Sequence, residues 1–287
     1  MKKALFQSLC AFSVAAASQV ALASCDDIFA AASAGGGLEK IANDVVSANQ
    51  GEGKHSADNG GGFGLDMWVT FVDETGMVCK GGVVNTARAK GTEGPNIGNK
   101  SWLGSRVISA QKANTANAFS LDGFAISTAN LYGLVQEGGS LYGLQHSNPI
   151  EPVTAYKGSA SKFGTSKDPL NKKTIGGVNV FGGGLALYKA GDGSAKVKVG
   201  AVGVSGDTSC TDHAVAWRIR HTLVLDKVPG GFNTLGTHAD TTIGDELVIA
   251  ASADQLPNSW YQPTCYTAPT AGTANGVLAA PAPTTAQ

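Results

Sequence analysis

Leu65-Asp66-Met67-Trp68-Val69-Thr70-Phe71-Val72, then Asp73-Glu74-Thr75-Gly76, then Met77-Val78-Cys79-Lys80-Gly81-Gly82-Val83-Val84 is the stretch that decides the fold. Two runs rich in β-branched and aromatic residues flank a four-residue turn signal, so the segment reads as a β-hairpin. A second strand–turn–strand unit follows, Val178 to Tyr188 and Lys196 to Val204, split by Gly191-Asp192-Gly193. Turns this short exclude a doubly wound parallel sheet, whose strands need helical crossovers.

Helices are expected around the hairpins. Asp26 or Asp27 can cap a first one reaching to about Ala48, with Gly35-Gly36-Gly37 making two shorter helices an equal reading. A second runs from Ser101 to about Phe119, and a short one from Ala129 to Gln136. A last helix spans about Thr211 to Asp226, with Thr211 and Asp212 as capping groups and Pro229-Gly230-Gly231 as the stop. Hairpins interleaved with helices predict an α+β domain with a mainly antiparallel sheet covered by helices. Glu137 to Ile175 reads as a long excursion, a length that is uncommon unless the segment covers something or serves a function.

The chain start predicts export. Lys2 and Lys3 precede an uncharged apolar stretch, and Ala21-Leu22-Ala23 is an A-x-A cleavage signal, so residues 1–23 are expected to be a signal peptide. The stretch is broken by Ser and Gln and has no charged stop, which argues against a transmembrane span. A periplasmic or secreted protein is expected. Leu22-Ala23-Ser24-Cys25 also satisfies a lipobox, which would make Cys25 a lipid anchor. Against that, Cys25, Cys79, Cys210 and Cys265 are an even number of mature cysteines, and two disulfides are favoured. Three pairings stay open; one would tie the last helix to the C-terminal extension through Cys210 and Cys265. The expected organisation is a signal at 1–23, a domain at 24–230, an extension at 231–267 and a disordered Ala/Pro/Thr/Gly-rich tail at 268–287.

Losing Lys2 and Lys3 takes the formal charge from −1 to −3. With no basic tract to neutralise phosphates, nucleic acid is not an expected partner. H-E-x-x-H, C-x-x-C and C-x-x-C-H are absent, which removes the common zinc-peptidase, thioredoxin-like and covalent haem readings. Gly203-Val204-Ser205-Gly206 is one residue short of a nucleophile elbow, and the glycine runs at 176–177 and 182–184 have no G-K-[S/T] after them.

In the Ser101 to Phe119 helix, Ile108, Lys112, Thr115 and Phe119 share one face, and Ala110, Ala113 and Asn117 form a small-residue stripe. A lysine on that apolar face either snorkels to water or meets a bound anion. Cys210-Thr211-Asp212-His213 is the densest polar cluster. His213, Trp217 and His221 follow at spacings of four, so the two histidines stand about 12 Å apart along the helix and cannot ligate one metal from the same side. His146, beside Tyr142 in the long excursion, is a second candidate donor. His55 and His238 have weaker claims.

Three stretches carry a resemblance. Ser109-Ala110-Gln111-Lys112-Ala113-Asn114-Thr115-Ala116 resembles a K-A-x-T-A helix. Gly176-Gly177-Val178-Asn179-Val180 resembles a G-G-v-p-i strand start, with Asn179 in place of the proline. Val199-Gly200-Ala201-Val202-Gly203-Val204-Ser205-Gly206 followed by Asp212 resembles G-a-i-G-v-S-G followed by Asp. Together they resemble the GlcG/HbpS-like haem-binding family, which also forms the C-terminal domain of PduO-type proteins. The resemblance implies a profilin- or PAS-like α+β fold, a homo-oligomer, and non-covalent binding of haem or a related tetrapyrrole for scavenging, storage or redox-linked sensing. Expected haem contacts are Lys112, Thr115, Phe119, Tyr142, His146, His213, Trp217 and Arg218, with His213 and His146 as the candidate iron ligands. Two other readings stand beside it: an exported enzyme acting on a small organic acid through Lys112, Asp212 and His213, and a structural module without ligand.

Overall fold

The computed structural model describes residues 25–51, 62–89, 102, 104–230, 244–250 and 252–265. The signal peptide, His55, His238 and the tail from 268 lie outside the described residues.

Both expected hairpins form. Strands β1 (Trp68–Asp73) and β2 (Val78–Asn85) pair antiparallel, as do β3 (Gly184–Ala190) and β4 (Lys196–Ser205). β1 also pairs antiparallel with β4, giving one sheet of order β2-β1-β4-β3. The first turn closes because the Asp73 carboxylate accepts from the Thr75 and Met77 amides.

Strand alternation sorts the side chains between two layers. Val69, Phe71, Leu185, Leu187, Val202 and Val204 face one core, together with helices α1 (Cys25–Ser33), α2 (Leu38–Gly51) and α7 (Ser209–Thr222). The Gly35–Gly37 turn makes two helices of the first expected one, with Gly36 and Gly37 at positive φ. After β2 comes the short α3 (Thr86–Ala89). Trp68, Val72, Val83 and Ala201 face the opposite core under α4 (Ser105–Phe119). Gly184 and Gly203 are register partners on β3 and β4. A Cβ on Gly203 would lie 2.0 Å from the Ser109 carbonyl oxygen, and one on Gly184 2.5 Å from the Lys112 oxygen. The small-residue helix stripe therefore rests directly on the sheet backbone.

The excursion is packed rather than loose. It carries α5 (Leu144–Ser147) and α6 (Pro152–Tyr156), the latter capped by the Glu151 carboxylate. Ala155, Leu170 and Ile175 enter the α4-side core. Arg106 anchors the segment: its guanidinium forks onto buried Asp168, donates to the Ala155 carbonyl and lies over the Phe163 ring. Val78 on the β2 edge exchanges backbone bonds with Lys172 and Lys173. At the opposite edge Tyr188 bonds to Leu225 and Lys227. Both edges are thus partly covered.

The helix expected from Ser101 begins at Ser105 and the strand expected from Leu65 begins at Trp68, and three further segments differ from expectation. Val178 to Gly183 precedes the strand instead of belonging to it, because groups at 179 and 181 bond off the sheet: the Asn179 amide donates to the Thr115 hydroxyl, and the Thr128 hydroxyl donates to the Phe181 carbonyl. Residues 129–136 form two 3₁₀ turns, Ala129–Leu131 and Gly133–Val135. There the C-terminal segment presses on Gly133, where a Cβ would meet the Leu256 oxygen at 2.2 Å. The last helix starts at Ser209 with Thr208 as N-cap and ends at Thr222, shortly before Val224 takes a positive φ.

Cys25–Cys79 and Cys210–Cys265 are at bonding distance, with Cα separations of 5.6 and 5.9 Å. The first bond ties α1 to β2 and occupies the sulfur that lipidation would need. The second ties α7 to the segment around 244–265. Arg220 pins that segment too, through a buried bidentate pair with Asp245. No helix among the described residues is long and apolar enough to cross a membrane.

Candidate functional site

A cavity of about 520 Å³ opens between the start of α4, the end of β4 and the start of α7. Its walls are Trp102, Ile108 and Phe181; Ser105, Ser205 and Ser209 add hydroxyls; Lys112, Asp207 and Asp212 supply the charges. Trp102 and Phe181 are 42% and 47% exposed, so the apolar part forms the mouth.

The floor is an ion pair assembled from residues 100 apart in sequence. Lys112 Nζ donates to Asp212 Oδ2 at 2.7 Å and to the Val204 carbonyl at 2.9 Å. The other carboxylate oxygen, Asp212 Oδ1, accepts from the Asp207 amide at 3.0 Å. Both side chains are buried, at 2% and 3% exposure. Lys112 neither snorkels nor waits for a bound anion: a carboxylate of the chain itself is its partner. Nor does Asp212 cap α7, a role taken by the Thr208 hydroxyl, which accepts from the Thr211 amide. Burial disfavours the charged form of each partner and outweighs their attraction. It lowers the Lys112 ammonium and raises the Asp212 carboxyl to about 7.

Glycines make this floor possible. A Cβ on Gly183, whose φ is +116°, would lie 2.6 Å from the Val204 oxygen and 2.9 Å from the Asp212 Cβ. Beside the floor, Asp207 accepts from the amides of Phe63, Leu65 and Thr208, which draws the segment before β1 across the α7 terminus. Burial raises its carboxyl, opposed by those amide bonds. Phe63 meets Trp102 edge-on at 5.8 Å between ring centroids.

Of the expected contact residues, Lys112 lines this cavity and the others stand elsewhere. The Thr115 hydroxyl is tied between the Gln111 carbonyl and the Asn179 amide. Phe119 packs in the cluster of Ile126, Leu131 and Val180. Tyr142 and His146 are exposed on the excursion. Arg218 donates to Asn49. Trp217 lies in the α7-side core, with the Arg220 guanidinium 4.6 Å above its ring. His213 is fully buried and 6.2 Å from the Trp217 ring; neither ring nitrogen has a hydrogen-bond partner among the described residues. Burial, reinforced by the charges of Arg220 and Lys112, holds its imidazole down to about 3. It is therefore a neutral core group. Trp102 and Phe181 carried no signal beyond being aromatics beside α4 and between glycine runs. No group of three or more metal-ligating side chains occurs among the described residues.

Fold and floor together define an α+β domain in which a helix lysine and a carboxylate from the last helix meet beneath an apolar-mouthed cavity. Residues 97–219 match the HbpS-like family model, described as haem degrading protein HbpS-like. All three resembling motifs lie within that span, and it is the family they indicated. No curated protein matches the chain. Two solved structures are similar to it: the crystal structure of Klebsiella pneumoniae protein ORFY, of family model DUF336, and that of a PduOC:heme complex. Each is 20% identical and covers 64% of this chain and 88% of its own, with TM-scores of 0.36 and 0.39.

Proposed function

We propose that the mature chain, beginning at Ser24 after removal of a signal peptide, binds haem or a related tetrapyrrole non-covalently in the periplasm or outside the cell. Scavenging, storage or redox-linked sensing would be its role, in a homo-oligomer. One observation carries the reading: every described residue lining the cavity lies within the span matched by the HbpS-like family.

The lining fits a porphyrin in part. Trp102, Ile108 and Phe181 offer an apolar slot of a size usual for cofactor pockets. The floor sets two carboxylates, Asp207 and Asp212, against one amine, Lys112, which disfavours buried propionates. Trp102, Ile108 and Phe181 would hold the ring, and Lys112 is, among the described residues, the lone cationic side chain lining the cavity that a propionate could meet. Haem, when bound, supplies iron redox and ligand chemistry; the chain's own residues exclude water from the ring faces and orient it. His213 and His146 remain the nitrogen donors to test, and the cavity itself presents oxygen donors.

Haemin titration of the disulfide-intact protein from Ser24 onward tests the proposal. Saturation near one haem per chain or per pair of chains, with a shifted Soret band, is the expected result. Trp102→Ala and Phe181→Ala should each weaken binding roughly fivefold, since each ring loses about 1 kcal/mol of partly buried contact. A broad spectrum that never saturates refutes a specific pocket. His213→Leu and His146→Ala, measured separately, show whether either imidazole reaches the iron.

A further inference from the structure

We propose that Lys112 is a nucleophilic amine that captures an uncharged aldehyde or ketone as an imine on the floor of the cavity. This goes beyond haem binding and does not depend on it. Three features of the site converge on the assignment. Lys112 and Asp212 both line the cavity, so the amine and a proton-carrying group meet the same space. The amine is fixed by two acceptors, Asp212 Oδ2 and the Val204 oxygen, both at bonding distance, and its side chain is buried at the base of the cavity. Moving one proton from lysine to aspartate turns two buried charges into two neutral groups without breaking that contact, which burial favours on both sides. A neutral, desolvated lysine next to an acid is the arrangement that imine chemistry needs.

The step balances within the pair. The Lys112 nitrogen lone pair forms a C–N bond to the carbonyl carbon as the C=O π pair moves to oxygen. Asp212 delivers a proton to that oxygen. One nitrogen proton then passes to the Asp212 carboxylate, which hands it to the hydroxyl as the C–O bond breaks and water leaves. The second nitrogen proton returns to the carboxylate, so the products are one imine, one water and a regenerated acid. The lining also selects the substrate. Two carboxylates against one amine disfavour an oxo acid, whereas Trp102, Ile108 and Phe181 suit a short uncharged chain or ring. Ser205 and Ser209 supply hydroxyls near the floor.

Reductive trapping on the haem-free, disulfide-intact mature protein is the test. The probes are propionaldehyde and, as the anionic comparison, pyruvate, each with cyanoborohydride, followed by peptide mapping. The expected adduct sits on Lys112, with a mass gain equal to the aldehyde less one oxygen atom. It should form roughly tenfold faster than on the exposed Lys40, Lys167 and Lys172. Asp212→Asn should slow labelling of Lys112 roughly tenfold while leaving those surface lysines unchanged. Should that variant not fold, the comparison of lysines within the native protein still decides. Labelling of Lys112 no faster than the surface lysines overturns the proposal, and pyruvate trapping as fast as propionaldehyde overturns the uncharged-substrate assignment. Trapping and haemin titration fail independently of one another, so each reading stands or falls on its own assay.

Discussion

Acidification from pH 7.5 to pH 5 should remove about 2 kcal/mol of folding stability through His213 alone. In the native state burial holds this imidazole at about 3, whereas its ordinary value is 6.5. The unfolded chain therefore takes up a proton as the pH falls through 6.5, and the folded chain does not until near 3. A group depressed in the folded state contributes stability that is complete above the unfolded value and is lost as the pH falls toward the folded one. At pH 5 the unfolded His213 is almost fully protonated, about 1.5 pH units below its midpoint, and at roughly 1.4 kcal/mol per unit the loss is about 2 kcal/mol. Asp212 works the other way: its raised carboxyl adds stability as the pH falls from about 7 toward 3.8. Comparison with His213→Leu cancels that contribution, since both proteins carry it. The assay is urea unfolding of both proteins, disulfides intact, at the two pH values. The stability difference between them should change by about 2 kcal/mol in favour of the variant on going to pH 5. At pH 7.5 the variant should be equal or slightly more stable, because an imidazole without partners among the described residues contributes only its desolvation cost. A difference that does not move with pH would show that His213 is solvated or paired, and the reasoning would fail.

Lys112→Met should cost about 1–3 kcal/mol by leaving the buried Asp212 carboxyl without its hydrogen-bond partner, and the double variant Lys112→Met/Asp212→Leu should recover most of it; denaturant midpoints measure both. Gly203→Ala forces a methyl into the α4 backbone, so a loss on the order of 3 kcal/mol or failure to fold is expected, read from thermal unfolding. Each disulfide closes a long loop, with separations of 54 and 55 residues. Opening either by paired Cys→Ala substitution should cost about 4 kcal/mol on the loop-entropy model, checked by urea unfolding.

The sheet was legible because its signals are local. The alternation of Val69 and Phe71 against Trp68 and Val72, with Asp73 to Gly76 between the runs, needs only neighbours in sequence to specify a hairpin. The glycine turn at 35–37 and the stripe at Ala110 and Ala113 are of the same kind. The boundaries that moved did so where distant groups claimed local backbone, as Thr115 does for Asn179 and Leu256 for Gly133. The site divided in the same way. The sequence by itself marked Lys112 as an anomaly on a helix face and Asp212 as the end of a motif, and the family resemblance quoted both. Their meeting across 100 residues was decided by the close approach of α4 to Gly184 and Gly203. Tertiary structure alone also decided that His213 is a core group and that Trp102 and Phe181 form the mouth. A helix of 3.6 residues per turn tells which side chains share a face, but only packing determines whether that face looks into a cavity, a core or water.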